Sequence, residues 1–285
     1  MNTVDRMNKE LSEIVSDISK LTLSLAIKRL RQSDGFVIVA PDFYYDTLSS
    51  EQKNTQLDIK RRYDKWFERL QKLLSGAPKN VLYELKQADN SFRPWVEFST
   101  IWGLTPNPET NIKKIEKDAS LLNALIDILK SAEKTETILI PDTNSLLESA
   151  DPTSYRQLAG NGPFTFLLMP TILRELDELK INHRNPEVRD KAKAIVTRIK
   201  GWRHQGSLST GVIVDHDITV KTRSQEPQMA NSLSWLDATV PDDRFIASAL
   251  EAIVDHPNAL ISIVTGDINL QNKADNAGIS IKELP

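Results

Sequence analysis

Apolar positions recur at intervals of three and four near the start of the chain. Leu11, Ile14, Val15, Ile18, Leu21, Leu25 and Leu30 form one stripe, which predicts a single long amphipathic helix. Leu57, Tyr63, Trp66, Phe67, Leu70 and Leu74 predict a second. A third is expected to begin at Asn107-Pro108, where asparagine can cap and proline suits the first helical position, and to bury Ile112, Ile115, Leu122, Leu125 and Leu129. Between these, residues 36–39 read as a short strand and 92–103 as an aromatic-rich connection. The polar run 131–136 marks a boundary, giving a helical domain over 1–134 and a second domain over 135–285.

Beyond that boundary the pattern changes to strands alternating with helices. Strands are expected at 137–140, 164–169, 212–220, 260–265 and 280–284, and helices from Ser145 onward and at 171–180, 186–202, 243–254 and 269–277. This alternation implies a parallel sheet covered on both faces, an α/β/α sandwich of about five strands behind a mainly α-helical N-terminal domain. In such sheets ligands collect at the carboxyl ends of the strands.

Composition narrows the chemistry. With 40% hydrophobic and 26% charged residues in 285, the chain reads as globular. No apolar run approaches the roughly 18–20 residues of a membrane span, and the start MNTVDRMNKELSE is too polar for a signal peptide, so the cytoplasm is the expected compartment. The absence of cysteine excludes disulfides, thiolate ligands and cysteine nucleophiles. The four histidines, His183, His204, His216 and His256, show no ligand spacing, so a metal would be held by oxygen and would be Mg²⁺ or Mn²⁺ rather than Zn²⁺. A net charge of -3 argues against a protein coated in nucleic acid but leaves room for a local basic groove.

Three strand ends or helix starts carry aspartate: Pro141-Asp142-Thr143-Asn144, Pro241-Asp242-Asp243 and Thr265-Gly266-Asp267. Each alone is explained by helix capping. Three on one sheet edge, with Glu175 in the second turn of the helix after the second strand, pose an electrostatic problem. Two carboxylates about 5 Å apart repel by on the order of 3 kcal/mol at an effective dielectric near 20. A divalent cation between them is the natural solution, and hydrolysis of a phosphodiester by an activated water is the reaction it suits, with no histidine or lysine base required.

These motifs resemble those of the PIN-domain nucleases over roughly the last 150 residues. The matching segments are Pro141 to Asn144, Pro170 to Leu179 with Glu175-Leu176-Asp177, Asp242-Asp243-Arg244-Phe245-Ile246-Ala247, and Val264-Thr265-Gly266-Asp267 followed by Asn269-Leu270-Gln271-Asn272-Lys273-Ala274. The resemblance implies that Asp142, Glu175, Asp243 and Asp267 bind the metal, with Asn144, Thr265, Thr143 and Asn269 supporting them. Asp243 is preferred to Asp242 because Ala247 follows one helical turn later, which leaves Asp242 as a cap. Asp177 and Glu178 are expected to face elsewhere.

The basic tract after Glu175, including Lys180, Arg184, Arg189, Lys191 and Lys193, reads either as a solvated face or as a groove for a nucleic-acid backbone. Single-stranded RNA is the favoured substrate, with DNA as the alternative. A PIN fold that binds RNA or protein without cutting is the competing reading. A phosphatase using Asp142 would want a second aspartate two residues on, where Asn144 stands. A toxin or defence role, an inhibitory protein partner and a homo-oligomer are left open.

Overall fold

The first apolar stripe folds as α1 (Thr3–Ser24) in the computed structural model of the chain, which describes residues 3–30, 41–129 and 136–285. The strand expected at 36–39 and most of the boundary run at 131–136 lie outside those residues. Contacts divide the chain into two compact units, Val4–Ser131 and one made chiefly of Ala132–Pro285.

In the N-terminal unit α1 buries Met7, Leu11, Ile14, Ile18 and Leu21 but stops well short of Leu30. Two bonds end it. The Ser24 hydroxyl turns back onto the Leu21 carbonyl at 2.8 Å, and the Gln52 amide takes the orphan Ser24 carbonyl at 3.1 Å. The chain then extends, and β1 (Ile27–Arg29) pairs antiparallel with β2 (Phe43–Tyr45). A capping box of Ser49 and Gln52 starts α2 (Ser50–Leu73). The segment from 92 to 103, expected as a connection, is largely helical: Phe92 and Trp95 belong to α3 (Lys79–Glu97), which precedes α4 (Pro108–Ile128). Pro94 stands inside the last turn of α3, where little helix follows any kink it causes, and Phe98 closes the helix in the left-handed region at φ 47°. Trp66 is fully buried and donates from Nε1 to the Met7 carbonyl at 2.9 Å, and Trp95 is buried, so both are core residues; Trp102 is exposed.

The C-terminal unit runs β3 (Thr137–Pro141), α5 (Thr143–Glu148), β4 (Phe164–Leu168), α6 (Pro170–Asn182), α7 (Pro186–Gln205), β5 (Val212–Asp215), β6 (Ile218–Thr222), α8 (Pro241–Asp255), β7 (Leu260–Val264), α9 (Ile268–Asn276) and β8 (Ser280–Lys282). Its six-stranded sheet has the order β5-β6-β4-β3-β7-β8 and is parallel except where β5 meets β6. The single strand expected over 212–220 is therefore a hairpin. Asp215 accepts from the His216 backbone at 2.8 Å, and Arg156 grips Asp215 and Asp217 at 2.7 Å each, which bends the chain between them. In β4 every residue is buried, and in β3 and β7 all but the first, which is why these apolar runs form the sheet's interior. The chain leaves β3 toward β4 and β6 on one side and returns as β7 and β8 on the other, so a topological switch point lies between β3 and β7.

Candidate metal centre

At that switch point Pro141 is paired with Val264, so the first residues beyond the two strands are neighbours. The Asp142 backbone N–H donates to the Val264 carbonyl at 3.0 Å. Its side chain, only 5% exposed, caps α5 by accepting from the Ser145 backbone at 2.7 Å, so the capping role is realised. The other oxygen accepts from the Thr265 hydroxyl at 2.6 Å. That hydroxyl in turn accepts from the Asp267 backbone N–H at 3.0 Å. Asp267 caps α9, taking the backbone N–H groups of Asn269 (2.7 Å) and Leu270 (3.2 Å) on a single oxygen.

Glu175 enters from α6, half-buried, and accepts from the Thr143 hydroxyl. Burial raises its carboxyl above the ordinary glutamate value; the Thr143 bond opposes this, and the charges of Asp242 and Asp142 add to it. Asp142, Thr143, Asn144, Glu175, Asp242 and Asp267 all line one cleft of about 460 Å³. Its other walls are apolar Ile172, Leu179, Phe245 and Leu270, with Glu178, Asn182 and His183.

Asp142, Glu175 and Asp267 line this cleft; Asp243 is not among its lining residues, and its Oδ1 is buried without a hydrogen-bond partner. Asp242 lines the cleft instead, and it is not a cap, since Val240 holds the N-cap position of α8. Asp243 is 6% exposed, with Oδ2 accepting from the Asp237 backbone at 2.9 Å and Oδ1 at 2.8 Å from the Lys273 ammonium. Lys273 also meets Asp242 at 3.2 Å. Burial works to lower the Lys273 pKa, but the two aspartates outweigh it and hold the ammonium above its ordinary value. Glu178 likewise departs from expectation: three residues after Glu175, it lies on the same helix face and reaches the cleft, whereas Asp177, two residues after, does not. Of the expected supporting residues, Thr143 and Thr265 hold carboxylates, Asn144 lines the cleft, and Asn269 contributes its backbone N–H.

The donor set is all oxygen and suits a hard divalent cation. Among the described residues, however, no three carboxylates or imidazoles are gathered closely enough to hold an ion as they stand. The reason is visible in the partners: Thr265 and Ser145 hold Asp142, Thr143 holds Glu175, Lys273 holds Asp242, and the start of α9 holds Asp267. Like charges without an intervening cation settle on separate donors.

Of the basic tract, only His183 reaches the cleft lining. Lys180 pairs with Asp177, Lys193 with Asp190, and Arg189 donates to the His183 carbonyl at 2.7 Å, while Arg184 and Lys191 are exposed. Further along α7, Lys200 and Arg203 line a second groove of about 810 Å³ on the opposite side of α6, with Arg223, Ser207 and Ser209.

The C-terminal unit is thus a mostly parallel α/β sheet with an acidic cleft at its switch point. The family model of the PIN domain matches residues 139–284, just over half of the sequence, and the chain belongs to that family. Among curated proteins none matches the chain. No described helix is long and apolar enough to cross a membrane.

Proposed function

We propose that the C-terminal unit is a Mg²⁺- or Mn²⁺-dependent nuclease that hydrolyses phosphodiester bonds of single-stranded nucleic acid, RNA in preference to DNA. The observation that carries this reading is the convergence of acids from four separate segments, Asp142, Glu175, Asp242 and Asp267, on the lining of one cleft within a PIN domain. These four would hold the ion, with Asp243 behind Asp242. A bound divalent cation would supply an activated water and neutralise charge on the phosphate oxygens. Thr265 and Thr143 aim Asp142 and Glu175 by donating to them. The apolar walls Ile172, Leu179 and Leu270 suit an unstacked base beside the scissile phosphate, which a duplex would not offer. Arg184 and Lys191, exposed beyond His183, are the members of the basic tract best suited to the strand's backbone, because Lys180 and Lys193 already have acidic partners.

One observation favours a second reading, a PIN domain that binds RNA without cutting: among the described residues no three acids or histidines are gathered closely enough to hold an ion. Metal and cleavage measurements on the full chain separate the two. Asp142→Asn keeps the capping oxygen and removes the charge, so it should abolish cleavage of labelled single-stranded RNA while the fold persists. Mn²⁺ should raise the melting temperature of the native chain, by the equivalent of about 2.7 kcal/mol at a hundredfold excess over Kd, and should do so far less in the variant. Absence of both cleavage and a melting shift at millimolar Mn²⁺ would leave the binding module as the better account.

A further inference from the structure

The core uses only one face of α7. Ala192, Ile195 and Trp202 are buried, whereas Val196, Ile199, Lys200 and Arg203, related by steps of three and four, line the groove of about 810 Å³. Pro170 and Leu173 from α6 join Val196 and Ile199 in an aliphatic floor, and all four are half-buried, so solvent still reaches them. Lys200 and Arg203 are exposed and, among the described residues, have no acidic partner; elsewhere on the same helix Lys193 pairs with Asp190 and Arg198 with Asp151. The groove's own acid, Asp177, is taken by Lys180, and its third cation, Arg223, by Glu251 and Asp255. Two cations are thus left uncompensated beside an apolar surface, in a chain whose net charge is -3.

We propose that this groove docks an amphipathic helix of a partner protein, aliphatic on the face that meets the floor and bordered by aspartate or glutamate where it meets Lys200 and Arg203. Charge complementarity selects the acids, and the half-open floor selects the aliphatic face. A nucleic-acid strand fits less well. No aromatic ring is among the lining residues for a base to stack on, and the two free cations stand one helical turn apart rather than along a track. A β-strand fits no better, because it needs an open sheet edge. Thr222, where β6 reaches the groove, pairs with Leu168 of β4 and gives its backbone N–H to the Leu208 carbonyl at 2.9 Å. A helix brings its own donors and acceptors already paired, and side chains at steps of three and four reach the floor. The groove shares no lining residue with the acidic cleft, so the inference does not rest on the nuclease reading.

The test uses the full chain and fluorescein-labelled synthetic peptides of one length, read by fluorescence anisotropy. In the first peptide leucine repeats at steps of three and four and glutamate flanks it; a second has glutamine in place of glutamate, and a third alanine in place of leucine. The leucine–glutamate peptide should bind, and the other two should each bind at least about tenfold more weakly, equivalent to about 1.4 kcal/mol. Lys200→Gln with Arg203→Gln should reduce its affinity to that of the glutamine peptide. Amide hydrogen exchange on the native chain locates the contact: binding should slow exchange at the start of α6, the end of α7 and residues 206–209, a readout that stands even if the double variant does not fold. Equal binding of the glutamine peptide would show the cations to be idle, and equal binding of the alanine peptide the floor; either overturns the proposal. So does binding that leaves those amides unprotected, or no binding at millimolar peptide. A labelled oligouridylate that protects the same amides where the leucine–glutamate peptide does not would make the groove a nucleic-acid track and overturn it as well.

Discussion

Thr265 gives the sharpest quantitative prediction. Its hydroxyl is fully buried, donates to Asp142 at 2.6 Å and accepts from the Asp267 backbone at 3.0 Å. Thr265→Val keeps the shape and removes both bonds. A hydrogen bond to a buried charged group contributes about 1.5–3 kcal/mol, and the loss here leaves a carboxylate oxygen, 5% exposed, without its donor. The Asp267 N–H lies in an exposed turn where water can replace the hydroxyl, so it adds little. Valine should therefore cost about 2–3 kcal/mol, or roughly 5–10 °C in the melting temperature of a unit this size. Thr265→Ser retains the hydroxyl and gives up one buried methyl, which costs about 1 kcal/mol. Urea and thermal melts followed by circular dichroism measure the difference. Because a two-unit chain need not unfold in one step, amide hydrogen exchange along β3 and β7 assigns the transition to the right unit. A valine variant as stable as the serine variant, or more so, would refute the reasoning, since the hydroxyl would then contribute no more than the methyl.

Other expectations concern the acids and the N-terminal unit. Burial, with the nearby charges of Asp242 and Asp142, raises the Glu175 carboxyl, so the folded chain holds that proton more tightly than the unfolded one; the associated stability is present at low pH and lost as pH rises through the raised value. Metal-free Glu175→Gln should consequently be more stable than the native chain at pH 7, and the advantage should shrink toward about pH 4, where the unfolded carboxyl also protonates; parallel pH-stability curves for the two proteins would show the cause to lie elsewhere. In the N-terminal unit, Ser49→Ala removes the capping box at the start of α2 and should cost about 1 kcal/mol in the melt of that unit, measured by the loss of helical ellipticity.

Legibility from sequence followed the strength of local signals. The runs that became β3, β4 and β7 are apolar throughout and bounded by turn residues, so their places could be read to within a residue or two. The hairpin of β5 and β6 could not, because its two-residue turn, His216-Asp217, carries no glycine and depends on Arg156, far away in sequence. The helix α3 was written plainly in Val81, Leu85, Ala88, Phe92 and Trp95, but Pro94 reads as a stop when considered without its position in the last turn. At the cleft, Asp142 and Asp267 were legible because strand ends locate them. How α8 is rolled, and so which of Asp242 and Asp243 lines the cleft, depends on tertiary contacts such as the Lys273 pair and the Asp237 backbone, which no local pattern shows. Glu178 was readable, for a separation of three places it beside Glu175 on any helix.

The bonds around Thr265 have a direction. A hydroxyl owns one proton, and here it is committed to Asp142, so the oxygen can only receive from the Asp267 backbone. The dipoles of the β7–α9 turn thus line up head to tail and end on a single carboxylate, each polarising the next. Asp142 and the turn that opens α9 are therefore held by one hydrogen-bonded chain. A substitution at Thr265 would thus loosen the end of β3 and the start of α9 together.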